Sequence, residues 1–408
     1  MNKKADSWDT FEKAYGGFLK KVRSFLSKKE SKLFLEALLF RLGMLLILIV
    51  IMALSGRYGE HGLHVNDVFD SLKRTDAQHY INIAKYGYAA NVEDGHVYLI
   101  VFFPLYPWLI RLLTLITRNY EVSALIISYL CFSGAIVYLY KLLRIDYNKK
   151  TTYNAIYALC FFPFAFFFGG IMTESLFLFI VCSFLYYLRK HKYLPVTILG
   201  FLAGMTKVQG NFLALCIIAE LCTSERLFKK IKTGEWPQAL KKIFFTGIKC
   251  VPMVGGTVVY LIVNYMVEGD PFRFLTYQRE HWGNYLAPPW NTFDYLKGYS
   301  STWFSGWGMA MFLPEFLLMI ITLAFLILAF KYKLHPTYLV YFVVFYLITY
   351  SSSWLISGGR YTSNIIPLFV TIGVFLSKHK KVRNPYLVFS LIFMICYMTA
   401  SYYGASIY

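Results

Sequence analysis

Charged residues are scarce in this sequence, and acidic residues are the scarcer of the two signs. Asp, Glu, Lys and Arg together make up 15% of the 408 residues, whereas hydrophobic residues make up 57% and aromatic residues 19%. A soluble fold of this length would need far more polar surface to cover its core. The composition therefore excludes a soluble globular protein and indicates one that is buried in a lipid bilayer.

Features of secreted and modular proteins are also lacking. None of the seven cysteines falls in a predicted outer loop, so we do not expect a disulfide framework. The first apolar run begins at residue 34 and lacks the cleavage site of a signal peptide. The sequence has no internal repeat, which weighs weakly against an inverted-repeat transporter.

Apolar stretches that could cross a bilayer as helices recur along the chain, and one crossing takes about 20 residues. Eleven spans are predicted near residues 34–54, 122–140, 153–169, 174–189, 194–206, 211–222, 243–266, 313–330, 336–356, 362–377 and 385–404. We therefore predict an all-α polytopic membrane protein with one transmembrane domain over residues 34–408. Residues 1–33 form a basic amphipathic segment that is expected to lie on the cytoplasmic leaflet.

The net charge of +19 raises the question of a nucleic-acid partner. With the N-terminus in the cytoplasm, however, the inner segments hold 28 of the 41 Lys and Arg residues and the outer segments hold 11. This asymmetry is typical of membrane topology rather than of a nucleic-acid surface. We expect a multi-pass protein without a nucleic-acid partner, and its compact loops favour the plasma membrane of a bacterium.

Two long outer loops, 55–121 and 267–312, interrupt the series of spans, and such loops often carry function. Within the first, residues 98–117 are apolar enough to be a span, but crossing there would invert every later loop. We therefore predict a re-entrant or interfacial segment. It contains FFPLYP at 102–107, whose two prolines and aromatic residues, including Tyr106, are expected to shape a cavity wall.

The first outer loop also contains FDSLKRTDAQHYINIAKYGY at 69–88, in which Phe69, Leu72, Tyr80 and Ile83 follow helical spacing, so we predict interfacial helices in this loop. Asp76 interrupts this apolar stripe, and His79 is one turn away. A carboxylate on an apolar face is costly unless it has a partner or a task. Asp76 is thus either paired to a neighbouring basic group such as Arg74 or a general base.

Further polar residues fall at the outer ends of the predicted helices. They are Glu174 within Thr-Glu-Ser, Lys207 within Lys-Val-Gln-Gly-Asn, and Arg360 within Gly-Gly-Arg-Tyr. Each alone could be an ordinary interfacial residue. Together with Asp76 they give two cations and two carboxylates on one side of the bundle. Cations suit a phosphate group and a carboxylate suits deprotonation, so we predict a common polar site.

The second outer loop adds Gln278, His281 and Trp282, which could contact a sugar or a lipid head group. Several outer histidines permit a divalent metal, for which Glu174, His79 and His281 are candidate ligands. No metal-binding spacing demands one. The sequence therefore requires no particular cofactor, although it permits a divalent metal.

At these residues the chain resembles the PIG-V type mannosyltransferases, membrane enzymes of the GT-C glycosyltransferase fold. The resemblance rests on TDAQHYINIAKYGY, FFPLYP and TESLF, which occur in the family's order and extend the likeness through most of residues 34–404. Lys207 stands where that family usually has arginine, and its T-K-x-x-G context is also similar to lipid-phosphate-sugar-dependent protein mannosyltransferases. Thr75 replaces the family's tryptophan beside the acidic residue.

The resemblance implies a GT-C-like bundle and transfer of a hexose, most simply mannose, from a polyprenyl-phosphate sugar to a hydroxyl acceptor on the outer face, with inversion. The acceptor would be a glycolipid, a cell-wall polymer or a protein. Asp76 would be the general base, and Lys207 and Arg360 would bind the donor phosphate. His79, Tyr80, Tyr106, Glu174, Gln278, His281 and Trp282 would contact or orient the substrates. The alternative is a transporter or flippase of lipid-linked sugars that performs no chemistry.

Overall fold

The computed structural model of the protein describes residues 28–56, 62–90, 92–405 and 407. Most of the amphipathic segment predicted for residues 1–33 lies outside them. In chain order the helices are α1 (Lys29–Leu54), α2 (Val65–Leu72), α3 (Ala77–Tyr86), α4 (Leu105–Thr117), α5 (Tyr120–Asp146), α6 (Lys149–Cys160), α7 (Glu174–Arg189), α8 (Tyr193–Gly204), α9 (Leu213–Ser224), α10 (Leu227–Thr233), α11 (Trp236–Gly247), α12 (Gly255–Glu268), α13 (Arg273–Glu280), α14 (Pro289–Gly298), α15 (Gly306–Ala310), α16 (Phe312–Lys331), α17 (Pro336–Tyr350), α18 (Gly358–Thr362), α19 (Ile366–Lys378) and α20 (Lys380–Tyr402).

Within the part of the chain that the structure describes, five helical stretches are long and apolar enough to cross a membrane. They are α1, α5, α20, the continuous stretch Trp236–Glu268 that joins α11 to α12, and the stretch Gly306–Lys331 that contains α15 and α16. Shorter apolar helices, among them α8, α17 and α19, pack between them. In the described ranges β-structure is limited to two isolated bridges. The predicted all-α polytopic membrane architecture is confirmed.

Two predicted spans are shorter in the structure. The span predicted at 153–169 stops when α6 ends at Cys160, and one 3-10 turn follows at Ala165–Gly169. Pro163 lies between them, and proline lacks the N–H that a continuing helix would need. The span predicted at 336–356 stops at Tyr350 because the chain then pairs with the second outer loop, where the backbone N–H of Ser353 donates to Tyr285 O at 2.9 Å.

The segment 98–117 divides into a 3-10 turn at Tyr98–Val101 and the 13-residue helix α4. At about 1.5 Å per residue α4 is about 20 Å long, shorter than the roughly 30 Å of a bilayer's hydrocarbon. One face, including Tyr106 and Ile110, is buried against the bundle, while Leu112 and Ile116 are exposed. Because α8 and α19 are equally short, the length of α4 does not separate a re-entrant segment from a span, and the re-entrant or interfacial role stays a prediction.

Helix α7 shows how the bundle separates two polar ends. It begins at Glu174 and ends at Arg189, which at about 1.5 Å per residue places these residues about 23 Å apart. The end near Glu174 is called the site end. The opposite end is called the basic end, because Lys150 donates there to Ser377 O at 3.2 Å and Arg383 to Asn154 Oδ1 at 2.8 Å.

Candidate active site

A cavity of about 410 Å³ opens at the site end of the bundle. Distant parts of the sequence form its walls: the turn before α3, the Phe102–Phe103 segment, the start of α7, the turn after α8, the second outer loop and the chain around α18. Asp76, Glu174, Lys207 and Arg360 all line this cavity. Residues that are separated by up to 284 positions in sequence are thus brought to one place.

Asp76 occupies the turn between α2 and α3. The apolar stripe predicted at helical spacing is divided between two helices of the first outer loop, because α2 ends at Leu72 and α3 begins only at Ala77. Thr75 between them has a φ of 52°, in the left-handed region that a regular helix does not use. This break leaves Asp76 directly before α3, with its side chain 30% exposed at the cavity wall.

Glu174 and Lys207 form a direct ion pair deep in the cavity. Glu174 is the first residue of α7, its side chain is 2% exposed, and its Oε1 lies 2.7 Å from Lys207 Nζ. Lys207 lies in the turn after α8, three residues before Gly210. A Cβ on Gly210 would lie 2.3 Å from the backbone of Ala203, so this turn can fold back onto α8 only with glycine there. The Lys-x-x-Gly spacing therefore fixes where Lys207 points.

Arg360 lies between the two carboxylates. Its Nη1 donates to Asp76 Oδ2 at 2.6 Å, and its Nε lies 3.4 Å from Glu174 Oε1. Helix α18 holds it there in close contact with its neighbours, since a Cβ on Gly359 would lie 2.4 Å from the ring of Phe164. Arg360 therefore joins Asp76 to the Glu174–Lys207 pair, and these four residues are called the ionic cluster.

The two cations of the ionic cluster differ in the net shift of their pKa, although burial opposes the charge on both. Burial lowers the pKa of Lys207, and the nearby Glu174 only partly offsets this. Burial also opposes the charge on Arg360, but Asp76 and other negative partners outweigh it and hold the pKa of Arg360 well above its usual value. Arg360 is therefore permanently charged, whereas the charge on Lys207 is sensitive to its surroundings.

The ionic cluster has unused hydrogen-bonding capacity. Glu174 Oε2 and Arg360 Nε are buried and make no hydrogen bond within the described residues. Most buried polar atoms in proteins are hydrogen-bonded, so such exceptions call for an explanation. Because these atoms belong to side chains that line the cavity, a polar ligand bound there would lie close to them.

Four of the other predicted site residues, His79, Tyr80, Gln278 and Trp282, also line the cavity. The ring of His79 lies 5.1 Å from that of Phe102. Burial lowers the pKa of His79, and Asp76 offsets this only in part, so the imidazole is neutral at pH 7. A neutral imidazole beside Asp76 is able to accept or donate a hydrogen bond to a hydroxyl group.

Tyr106 and His281 are not brought into the cavity lining. Tyr106 is fully buried behind Tyr80, with the two rings 5.3 Å apart, and its hydroxyl contacts Ser128 Oγ at 3.1 Å. His281 is exposed and its ring stacks on Tyr98 at 3.9 Å. Tyr106 therefore supports Tyr80 from behind, and His281 packs on the outer loop.

The three candidate metal ligands do not form a cluster. Glu174 is paired with Lys207, His79 packs against Phe102, and His281 is outside the cavity lining. Across the described ranges, no group of three or more His, Cys, Asp or Glu side chains is placed to hold a metal ion.

Glu315 does not line the cavity but supports it from behind, and the sequence did not point to it. It lies near the start of α16, is 2% exposed, and its Oε1 accepts the backbone N–H of Gly359 at 3.1 Å. It therefore fixes the backbone that carries Arg360. Its position in an apolar span is an available signal, since carboxylates inside spans are rare and usually functional.

Comparison with known families gives one match. The family model described as dolichyl-phosphate-mannose-protein mannosyltransferase matches residues 103–245, about a third of the chain. This segment contains Glu174 and Lys207 but neither Asp76 nor Arg360. The match supports a membrane glycosyltransferase. More specifically, it supports a GT-C mannosyltransferase-like family whose donor is a polyprenyl-phosphate sugar. No curated protein and no solved structure matched the chain.

Proposed function

We propose that this glycosyltransferase transfers mannose from a polyprenyl-phosphate donor to a hydroxyl group, with inversion at the anomeric carbon. The observation that carries the proposal is the ionic cluster at the open cavity, in which Arg360 and Lys207 are held by Asp76 and Glu174 at 2.6 and 2.7 Å. A site with two preformed cations suits a leaving phosphate, and the carboxylates keep those cations in place before the donor binds.

Arg360 and Lys207 would bind the phosphate of the donor. As the sugar leaves, negative charge develops on this phosphate, and fixed cations in a partly buried site stabilise it more than water would. A phosphate that contacts Arg360 competes with Asp76 for the guanidinium. Donor binding would therefore weaken the contact between Arg360 and Asp76 and make the carboxylate available as a base.

Asp76 would be the general base. The acceptor oxygen forms a bond to the anomeric carbon while the bond from that carbon to the phosphate oxygen breaks. The hydroxyl proton passes to Asp76, and the polyprenyl phosphate leaves with the bonding electrons. His79, Tyr80, Gln278 and Trp282 line the same cavity and would orient the sugar and the acceptor hydroxyl.

The reaction would take place on the outer face of a bacterial plasma membrane. The ionic cluster lies at the opposite end of α7 from the basic end, whose Lys and Arg residues favour the cytoplasmic side by the positive-inside rule. The N-terminus would then be cytoplasmic. The acceptor would be a glycolipid, a cell-wall polymer or a protein.

The decisive experiment assays Asp76→Asn and Arg360→Ala in membranes with radiolabelled polyprenyl-phosphate mannose. We expect Asp76→Asn to lower kcat by about 10²- to 10⁴-fold, because a general base contributes about that much. Arg360→Ala should raise the KM for the donor as well. Asp70→Asn is the matched control, since Asp70 is 68% exposed and pairs with Lys73 outside the cavity.

Undiminished transfer by Asp76→Asn would contradict the role of Asp76 as base, and an unchanged donor KM in Arg360→Ala would contradict its phosphate contact. The assay is repeated with the unmodified protein in detergent solution to separate a transferase from a flippase. A transferase consumes the donor in detergent solution, whereas a flippase needs two compartments to show any activity.

A further inference from the structure

A second cavity adjoins the candidate active site. It has a volume of about 770 Å³ and is called the aromatic groove, because most of its wall is aromatic. Its lining includes Tyr285, Tyr295, Tyr299, Trp307 and Trp354, together with Ser353. Its size falls within the roughly 300–1,000 Å³ that small-molecule sites occupy. None of the roles assigned above to the ionic cluster uses it.

The aromatic groove and the active-site cavity share a wall. Trp354 and Ile356 line both. The indole N–H of Trp354 donates to the carbonyl oxygen of Trp282 at 3.0 Å, and Trp282 lines the active-site cavity. A molecule that fills the groove would therefore lie directly beside the space in front of Arg360.

Hydrogen bonds and ring packing fix the shape of the groove. Ser353 Oγ donates to Gly283 O at 2.9 Å, in addition to the backbone bond between Ser353 and Tyr285. On the other wall, Tyr299 stacks on Phe312 with a ring distance of 3.9 Å, and Trp307 meets Phe312 edge to face at 4.9 Å. A preformed shape of this kind lowers the ordering cost of binding a ligand.

The chemistry of the lining selects against a charged ligand. Among the described residues no Lys, Arg, Asp or Glu lines the groove, and Arg279 only approaches the ring of Tyr285, at 5.7 Å. The polar groups that a ligand would meet are tyrosine hydroxyls set among flat aromatic rings, because the Ser353 hydroxyl already donates to Gly283 O and accepts from the backbone N–H of Tyr285. Tyrosine and tryptophan combine an apolar ring with a hydrogen-bonding group, which suits a neutral molecule that has both C–H faces and hydroxyl groups.

A lipid chain is a poorer match for this lining. The apolar cavity between α9 and α11, of about 360 Å³, is lined by Ile217, Leu221, Ile243 and Phe244 and has no tyrosine or tryptophan. That is the composition expected of a surface that meets hydrocarbon. The aromatic groove differs in the polar groups on its exposed rings, since Tyr285, 52% exposed, carries a hydroxyl group and Trp307, 50% exposed, carries an indole N–H.

We propose that the aromatic groove binds a neutral saccharide that is part of the acceptor, so that the acceptor is already glycosylated. This inference rests on the proposed transferase function. The saccharide bound in the groove would present a terminal hydroxyl group past Trp354 into the cavity that holds Asp76. The acceptor class is thereby narrowed to a glycan or a glycan-bearing lipid or polymer.

The test measures saccharide binding without any donor. The full chain in lipid nanodiscs is titrated with linear mannotriose and with maltotriose, and binding is followed by saturation-transfer NMR. At least one of the two should bind to the unmodified chain, and we expect Trp307→Leu to weaken that binding roughly tenfold, the loss expected for one aromatic contact. Tyr285→Phe, which keeps its exposed ring and loses only the hydroxyl, should weaken it less.

Trp290→Leu is the matched control, because Trp290 is 66% exposed in the same outer loop and does not line the groove. Equal binding to all variants, or no binding of either trisaccharide, would overturn the proposal and leave the groove as part of an interfacial aromatic belt. Saccharide binding that depends on Trp307 in a chain that transfers no sugar would support the groove while contradicting the transferase function.

Discussion

The bundle carries a group of buried and partly exposed charges at each end, and the two groups differ in how their carboxylates are bonded. At the basic end, Arg189 lies 2.6 Å from Asp146 Oδ1 and 3.1 Å from Glu220 Oε1. The remaining oxygens accept hydrogen bonds from Tyr338 at 3.0 Å and from Thr337 at 2.6 Å. Both carboxylates at the basic end therefore use both of their oxygens.

At the site end the bonding is incomplete. Glu174 uses Oε1 for Lys207 and Arg360, while its Oε2 has no hydrogen-bond partner within the described residues. Arg189 Nε at the basic end also lacks a hydrogen-bond partner within the described residues, so the two ends differ in their carboxylates and not in their cations. Breaking a buried charge pair whose carboxylate is fully bonded is costly, so the basic end holds helices together. A buried carboxylate with unused capacity beside a cavity contributes less to stability and is available to a ligand. We therefore expect the charges at the basic end to stabilise the fold and those at the site end to bind and position the substrates.

The largest effect is expected for Glu220→Ala at the basic end. It leaves Arg189 with one carboxylate partner and Thr337 without its acceptor, and breaking a buried pair of this kind costs about 3 to 5 kcal/mol. The measurement is the unfolding free energy in detergent. Glu225→Ala is the control, because Glu225 is 24% exposed and such surface pairs contribute about 0 to 1 kcal/mol. Equal destabilisation by the two variants would contradict a stabilising role for the charge network at the basic end.

The next effect is expected for Glu174→Gln at the site end. The amide keeps the shape of the side chain but removes the charge that positions Lys207 and Arg360, and misplacement by about 1 Å can cost on the order of 10²-fold in rate. We expect about that loss in kcat/KM for the donor, with less destabilisation than Glu220→Ala. Glu220→Gln makes the same substitution at the basic end and should leave the transfer rate of the folded protein unchanged. A loss of transfer rate in Glu220→Gln but not in Glu174→Gln would contradict the roles given to the two ends.

The sequence was sufficient to predict that Asp76, Glu174, Lys207 and Arg360 share one end of the bundle. Sidedness follows from hydropathy and from the Lys and Arg distribution, which are properties of composition along the chain. Which of these side chains form ion pairs depends on packing between elements that are far apart in sequence. The contacts of Arg360 with both Asp76 and Glu174 could therefore not be deduced from the sequence. The roles of these residues in the reaction remain predictions.

Local breaks in the helices were harder to predict. The apolar spacing around Asp76 is helical on both sides of the turn, yet residues 73–76, among them the left-handed Thr75, separate α2 from α3. Glu315 was overlooked because it lies in a strongly apolar run, where a single carboxylate hardly changes the average hydropathy. The aromatic groove requires the second outer loop to pair with residues 351–353, which no periodicity in the sequence indicates.

A smaller effect is expected for Gly359→Ala, which tests how tightly α18 holds Arg360. The added Cβ would lie 2.4 Å from the ring of Phe164, and overpacking of this kind typically costs about 1 to 3 kcal/mol. Both the unfolding free energy and the transfer rate should fall, because the strain shifts Arg360. Gly298→Ala is the control, since a Cβ there would contact nothing within 4 Å. A loss of stability without any change in donor KM would show that α18 tolerates the shift.

The smallest effect concerns the pH dependence of donor binding, and it separates the two cations of the ionic cluster. Burial lowers the pKa of Lys207, so as the pH rises this side chain loses its proton before an ordinary lysine would. The pKa of Arg360 is held well above its usual value, so Arg360 stays charged throughout. The KM for the donor should therefore rise at alkaline pH, starting below the usual lysine pKa of 10.5. In Lys207→Arg the guanidinium does not lose its proton, and this rise should disappear. A pH profile of KM that is identical in the two proteins would mean that Arg360 alone binds the phosphate and that Lys207 serves chiefly to neutralise Glu174.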